Sequence, residues 1–188
     1  EEPTVDISGQ VMKQCDVCIS TGGMGMVRAA YASGKPAFGV GAGNVQCLID
    51  EDADLEKCVP MIIEGRRFDN GIICSGEQTA IMPRSIYAKA VEIFKKDGAL
   101  YIDKPADVAK LRDVVFPGGT IDKNVVGKSA LDVAALCGFD APADTKVILV
   151  KADAYGREDF FSKEKMCPVI ATYDNLADWD ECIRAAAA

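Results

Sequence analysis

Apolar residues along the chain alternate between a helical spacing and short unbroken runs. Leu55, Val59, Ile62 and Ile63 recur at three-to-four intervals, as do Ile86, Ala90, Ile93 and Phe94. Between such stretches lie compact apolar runs of strand length. The pattern predicts helices over residues 7–14 and 24–34, a third that starts near residue 52, a fourth that bears Ile86, Ala90, Ile93 and Phe94, and others over 106–115, 130–137 and 175–185. It predicts strands over 16–20, 37–40, 45–50, 78–82, 99–102, 146–150 and 169–173. In the second helix Met26, Ala29 and Ala30 are expected on one face. Asp52 is a candidate N-cap for the third, and Pro60 should either kink that helix or mark its start. Strands alternating with helices imply an α/β fold of three layers, α/β/α, around a mostly parallel sheet.

At 188 residues the chain can build a real hydrophobic core. No apolar run approaches the ~20 residues that span a bilayer. The acidic start EEPTVD lacks the basic and apolar regions of a signal peptide. A soluble cytoplasmic chain, with no membrane partner, is therefore expected. The formal charge of −8 argues against nucleic acid as a partner. An anionic cofactor is still compatible, because helix-start N–H groups bind phosphate without net positive charge. Eight cysteines in this setting read mainly as buried free thiols. Histidine is absent, which excludes a Ser-His-Asp triad, a Cys-His dyad and a histidine-ligated zinc site within the chain.

Four stretches carry candidate chemistry. In STGGMGMVRAA (20–30) a strand runs into glycines that open a helix. That arrangement suits either a tight structural turn or a contact with a cofactor phosphate or nicotinamide, and the pattern alone leaves both open. Cys15 and Cys18 have the spacing of a redox or zinc pair. If the strand reading is right, residues three apart point to opposite sheet faces and cannot share a metal. NVVGKS (124–129) imitates the end of a P-loop, but Asp122 stands where that loop needs its first glycine. Lastly, FDNGIICSGEQ (68–78) places Cys74 in a glycine-flanked turn between helix and strand. Its thiol is either a half-buried loop cysteine or a nucleophile. Arg66 and Arg67 could favour its thiolate, or could simply line an exposed helix face.

Three stretches in order, TGGMGMVRAAYASGKPAFGVGAGN (21–44), FDNGIICSGEQ (68–78) and KEKMCPVIATY (163–173), resemble the coenzyme A-acylating branch of the aldehyde dehydrogenase superfamily. This branch includes acetaldehyde and succinate semialdehyde dehydrogenases and bifunctional alcohol–aldehyde dehydrogenases. The resemblance spans essentially the whole chain. It implies that Cys74 is the nucleophile, which adds to an aldehyde to form a thiohemiacetal that passes hydride to NAD or NADP. Coenzyme A, as co-substrate, then resolves the thioester. By the same resemblance Thr21, Gly22 and Gly23 lie near the nicotinamide and pyrophosphate, and Glu164 holds the nicotinamide ribose. Met166-Cys167 replaces the family's usual Phe-Gly at that last site. No metal is implied. The oxyanion hole would combine the Cys74 N–H with an asparagine from an earlier domain.

Hydrolytic members carry a Glu-Leu-Gly-Gly-Lys-Asn stretch whose glutamate activates water. Aligned on Asn44, this chain has Gly39 in the glutamate position. A thiol needs less activation than water, so the change fits acyl transfer to coenzyme A. Residues 1–40 would be the tail of an NAD(P)-binding domain, and 41–188 an incomplete catalytic domain. Such a piece is expected to carry the nucleophile without turning over, within a longer, homo-oligomeric enzyme. Two other readings stand beside this one: an acyl-phosphate reductase resembling glutamyl phosphate reductase, and a catalytically silent assembly module. Acetaldehyde, propionaldehyde, butyraldehyde and succinate semialdehyde are all compatible substrates.

Overall fold

The computed structural model describes residues 4–188; Glu1, Glu2 and Pro3, at the head of the first expected segment, lie outside the described residues. The chain divides into two compact units, Glu1–Gly43 and Asn44–Ala188.

In the first unit, helix α1 (Val5–Gln14) is capped by the Thr4 hydroxyl, which accepts the Ile7 N–H at 3.2 Å, and it buries none of its residues. Strands β1 (Cys18–Thr21) and β2 (Ala37–Val40) pair in parallel, joined by α2 (Met24–Tyr31). The helix turns Val27 and Ala30 onto this two-stranded sheet, while Met26 and Ala29 stay exposed, contrary to the expected face. The reason is a close approach at Gly39. A Cβ there would lie 2.6 Å from Val27 Cγ1 and 2.9 Å from the Tyr31 ring. Val27 and Tyr31 are one helical turn apart, so this contact sets which way the helix is rolled. The other sheet face leaves Ile19, Phe38 and Val40 uncovered.

The second unit is a five-stranded parallel sheet of order β3-β4-β7-β6-β5, with strands Val45–Leu48, Glu77–Ile81, Ala99–Ile102, Val147–Lys151 and Val169–Thr172 numbered β3 to β7. Alternate residues of each central strand feed opposite faces, as the pleat requires. Val147, Leu149 and Ile170 pack with α3 (Leu55–Arg67) and α4 (Arg84–Lys96). Ile148, Val150, Val169 and Ala171 pack with α5 (Pro105–Val115), α6 (Ala130–Leu136) and α7 (Trp179–Ala187). This is the expected three-layer α/β/α arrangement. Among the described residues no helix is long and apolar enough to cross a membrane.

The starts of α3 and α7 differ from the sequence expectation. Helix α3 is entered from Asp54, whose carbonyl accepts the Cys58 N–H at 2.9 Å, because Asp50–Ala53 closes a turn of its own. Pro60 lies inside that helix and neither starts nor ends it. Helix α7 begins four residues late. Leu176 is buried in the core and its carbonyl takes the Arg84 N–H, so the helix starts at the Asp178 cap instead.

Leu149 is fully buried at the centre of the sheet. Leu149→Ala should therefore destabilise the protein by about 2–5 kcal/mol, as read from urea unfolding. A loss under about 1 kcal/mol would show that this face repacks freely.

Candidate functional site

Because β3, β4 and β7 are parallel and adjacent, the segments that enter them meet at one edge of the sheet. These segments carry Asn44, Cys74 and Glu164 respectively. The entry to β4 is the most constrained. After α3, Asp69 (φ 47°), Asn70 (φ 52°) and Gly71 (φ 72°) are successive left-handed residues. Each non-glycine residue in that region costs about 1–2 kcal/mol. Aspartate, asparagine and glycine tolerate it best, which is why DNG reads as a turn.

The surroundings offset this strain. Asn70 Nδ2 donates to the Gly127 carbonyl at 3.0 Å. Gly71 lies against the peptide joining Cys167 to Pro168, where a Cβ would sit 2.7 Å from the Cys167 carbonyl carbon and oxygen. The chain then closes a further turn, with the Gly76 N–H donating to the Ile73 carbonyl at 3.2 Å, and Cys74 sits at its tip. Of the eight cysteines Cys74 alone is exposed. By contrast, burial pushes the Cys47, Cys137, Cys167 and Cys182 thiols up to about 11, which makes them poor nucleophiles at neutral pH.

The two neighbouring arginines have different environments. Arg67 is exposed and pairs with Glu64 at 2.6 Å. Arg66 is fully buried. Its Nη2 donates to the Cys167 carbonyl, and its Nη1 lies 3.5 Å from where a Cβ on Gly76 would be. Neither Nε nor Nη1 has a hydrogen-bond partner. Burial pushes the guanidinium down to about 10. Lys165 is also fully buried, with Nζ donating to the Phe161 and Lys163 carbonyls at 2.6 and 3.1 Å. Burial first, and then the charge of Arg66, push its ammonium down to about 7. The Lys165 N–H donates to buried Gln78 Oε1 at 2.9 Å, which ties the Glu164 segment to β4. Glu164 itself is half-buried.

The P-loop look-alike has a structural role here. Gly127 (φ 70°) donates its N–H to the Met166 carbonyl at 2.9 Å while its own carbonyl takes Asn70. Ser129 and Asp132 form a reciprocal cap on α6. The loop thus joins the Cys74 turn to the Glu164 segment. A cleft of about 680 Å³ between α5 and α6 includes Asp113, Lys128 and Leu136 in its lining, but neither Cys74 nor Glu164. Sequence reading missed the roles of Gln78, Gly127 and Lys165. For Arg66 a signal was present, since it continues the Val59, Ile62, Ile63 stripe at helical spacing.

In the first unit, Thr21 ends β1, and Gly22 (φ 141°) donates its N–H to the Val40 carbonyl at 3.1 Å. Gly23 N-caps α2 without any side-chain cap, and nothing lies within 4 Å of a Cβ at Gly22, Gly23 or Gly25. The helix start is therefore open, with amides available to an anion, which fits a dinucleotide phosphate. Cys15 is the C-cap of α1, and β1 begins only at Cys18. The opposite-face argument for this pair therefore does not apply. Cys18 is instead buried, its thiol 3.4 Å from the Met12 carbonyl. Among the described residues no group of three or more acidic or cysteine side chains is placed to hold a metal ion.

No protein-family model matches the chain. It is 43% identical over 180 residues to the acetylating succinate-semialdehyde dehydrogenase of Clostridium kluyveri, covering 95% of this chain and 40% of that protein. The acetylating aldehyde dehydrogenase structure from Geobacillus thermoglucosidasius superposes with a TM-score of 0.91 at 35% identity, over 99% of this chain and 41% of that one. A propionaldehyde dehydrogenase structure from Rhodopseudomonas palustris, with bound coenzyme A and an acylated cysteine, gives a TM-score of 0.89 at 31% identity, over 99% and 42%. The chain spans about two-fifths of the length of each of these relatives.

Lys165 makes stability depend on pH in a defined direction. Below about pH 7 folded and unfolded chains both hold its proton, and the cost of burying the charge is felt in full. Between about 7 and the unfolded value of ~10.4 the folded chain releases the proton and the unfolded chain keeps it, so stability rises with pH. The wild type should therefore gain on the order of 1 kcal/mol relative to Lys165→Met between pH 6 and 9, read by urea unfolding at each pH. A pH-independent difference between the two would show that Lys165 does not titrate in this range.

Proposed function

We propose that this chain, which by sequence and fold belongs to the coenzyme A-acylating aldehyde dehydrogenases, supplies the nucleophile of such an enzyme, Cys74. The observation that carries the reading is the presentation of Cys74. It is the one exposed thiol of eight, at the tip of the turn that follows three successive left-handed residues. Strained backbone of this kind concentrates at functional sites.

In the proposed reaction the Cys74 thiolate adds to the aldehyde carbonyl carbon, and the former carbonyl oxygen becomes a thiohemiacetal oxyanion. The Cys74 N–H makes no backbone hydrogen bond among the described residues and is available to that oxygen. NAD or NADP, when bound, accepts the hydride that turns the thiohemiacetal into a thioester. Thr21, Gly22 and Gly23 offer the open helix start for its pyrophosphate, and Glu164 a carboxylate for the ribose hydroxyls. The coenzyme A thiolate then attacks the thioester carbonyl, acyl-coenzyme A leaves, and the Cys74 thiolate is restored.

Gly39 supports the choice of acceptor. Its N–H donates to the Tyr31 hydroxyl at 3.1 Å, and a Cβ would meet Val27 and Tyr31. A glutamate has no seat there without displacing α2, so no general base for water is available from this position. The uncovered Ile19, Phe38 and Val40 face supports residues 1–40 as part of a larger cofactor domain, with residues 41–188 belonging to the catalytic domain. The parent enzyme is a cytoplasmic homo-oligomer in this reading.

The full-length parent, incubated with propionyl-coenzyme A without nicotinamide, should gain one propionyl mass on the peptide containing Cys74. Cys74→Ser should lose that adduct and lower NADH-dependent acyl-coenzyme A reduction by about 10³-fold or more. An active Cys74→Ser enzyme would overturn the reading. Gly39→Glu should cost about 1–3 kcal/mol of stability through overpacking, with acyl-coenzyme A still the product by chromatography. Free acid as the main product would show that the position can host the base after all.

A further inference from the structure

Arg66 is poorly explained by stability. A buried arginine normally offsets its desolvation with a carboxylate and a full set of acceptors. Here Nη2 has only a backbone carbonyl, and Nε and Nη1 have no partner. The charges of Glu164 and Glu77 act on it favourably, but an apolar residue of similar length would fill the same space at lower cost. What the guanidinium does uniquely is touch two segments at once. Its Nη1 lies beneath Gly76, in the turn that presents Cys74, and its Nη2 holds the Cys167 carbonyl, three residues after Glu164.

Resting on the reading of Cys74 and Glu164 given above, we propose that Arg66 is a positioning residue that sets the nucleophile turn against the cofactor-binding segment. Its role lies in the redox half of the reaction, where Cys74 and Glu164 must act on one assembled complex. Transfer of an acyl group between coenzyme A and Cys74 does not require Glu164. The two segments also stay attached without Arg66, through the Asn70–Gly127–Met166 and Gln78–Lys165 hydrogen bonds. An apolar replacement should therefore fold.

The test uses the full-length parent with Arg66→Met and Arg66→Lys. Two half-reactions are read separately: acylation of Cys74 by propionyl-coenzyme A without nicotinamide, followed by mass, and steady-state reduction with NADH or NADPH. Arg66→Met should keep its thermal midpoint and acylate Cys74 at a rate within about threefold of wild type. Its KM for the nicotinamide should rise about tenfold, or its kcat fall by as much. Arg66→Lys, which keeps a donor for the Cys167 carbonyl, should recover part of that loss. Wild-type kinetics in Arg66→Met would overturn the proposal. So would a parallel fall of both half-reactions with the thermal midpoint, which marks a purely structural role. Failure of the wild-type parent to acylate Cys74 at all would instead remove the nucleophile reading on which the proposal rests.

Discussion

The carbonyl of Cys167 is the point on which the candidate site depends. Arg66 donates to it from α3, the Val169 N–H approaches it at 2.7 Å, and Gly71 packs flat against it with no room for a side chain. One peptide group thus fixes the end of a helix, the entry to a central strand and the left-handed turn before Cys74. The requirement runs in both directions. Gly71 must lack a Cβ and adopt positive φ. Asp69 and Asn70 precede it in the left-handed region, which few residues other than glycine enter without cost.

Electrostatics at this point is arranged at the expense of stability. Arg66 and Lys165 are two fully buried cations with no full complement of partners, and Arg66 lowers the proton affinity of Lys165 further. Buried like charges are unfavourable unless something nearby uses the field. Glu164 lies beside Lys165 in sequence, and its charge acts favourably on both cations. Destabilising charge concentrated between two proposed functional segments is a distribution of strain expected of a functional site.

Much of the fold was legible because its elements are locally consistent. The strands at residues 37–40 and 99–102 coincide with β2 and β5, and the Leu55–Ile63 stripe is buried as its spacing requires. What escaped was decided by tertiary contacts. Helix α2 is rolled by the approach of Gly39, and α7 starts late because Leu176 is needed in the core. At the candidate site, DNG announced a turn and the flanking glycines announced that Cys74 lies in a loop, without deciding its exposure. The residues that brace that turn looked ordinary. Lys165 sits in the charged run KEK, which reads as solvated, and Gly127 sits in a false phosphate signature. Arg66 could have been distinguished from Arg67 by periodicity, since only the former continues the buried stripe of α3.

Gly39 and Cys74 together connect this geometry to a choice of chemistry. A thioester on an exposed cysteine can be resolved by whatever nucleophile reaches it in a reactive form. Water needs a base held at the site, whereas a thiol with a pKa near 8.5 is already partly ionised at neutral pH. At position 39 the close approach of Val27 and Tyr31 leaves no room for a side chain. In the proposed reading, the contact that rolls α2 onto its sheet also keeps a glutamate out of position 39.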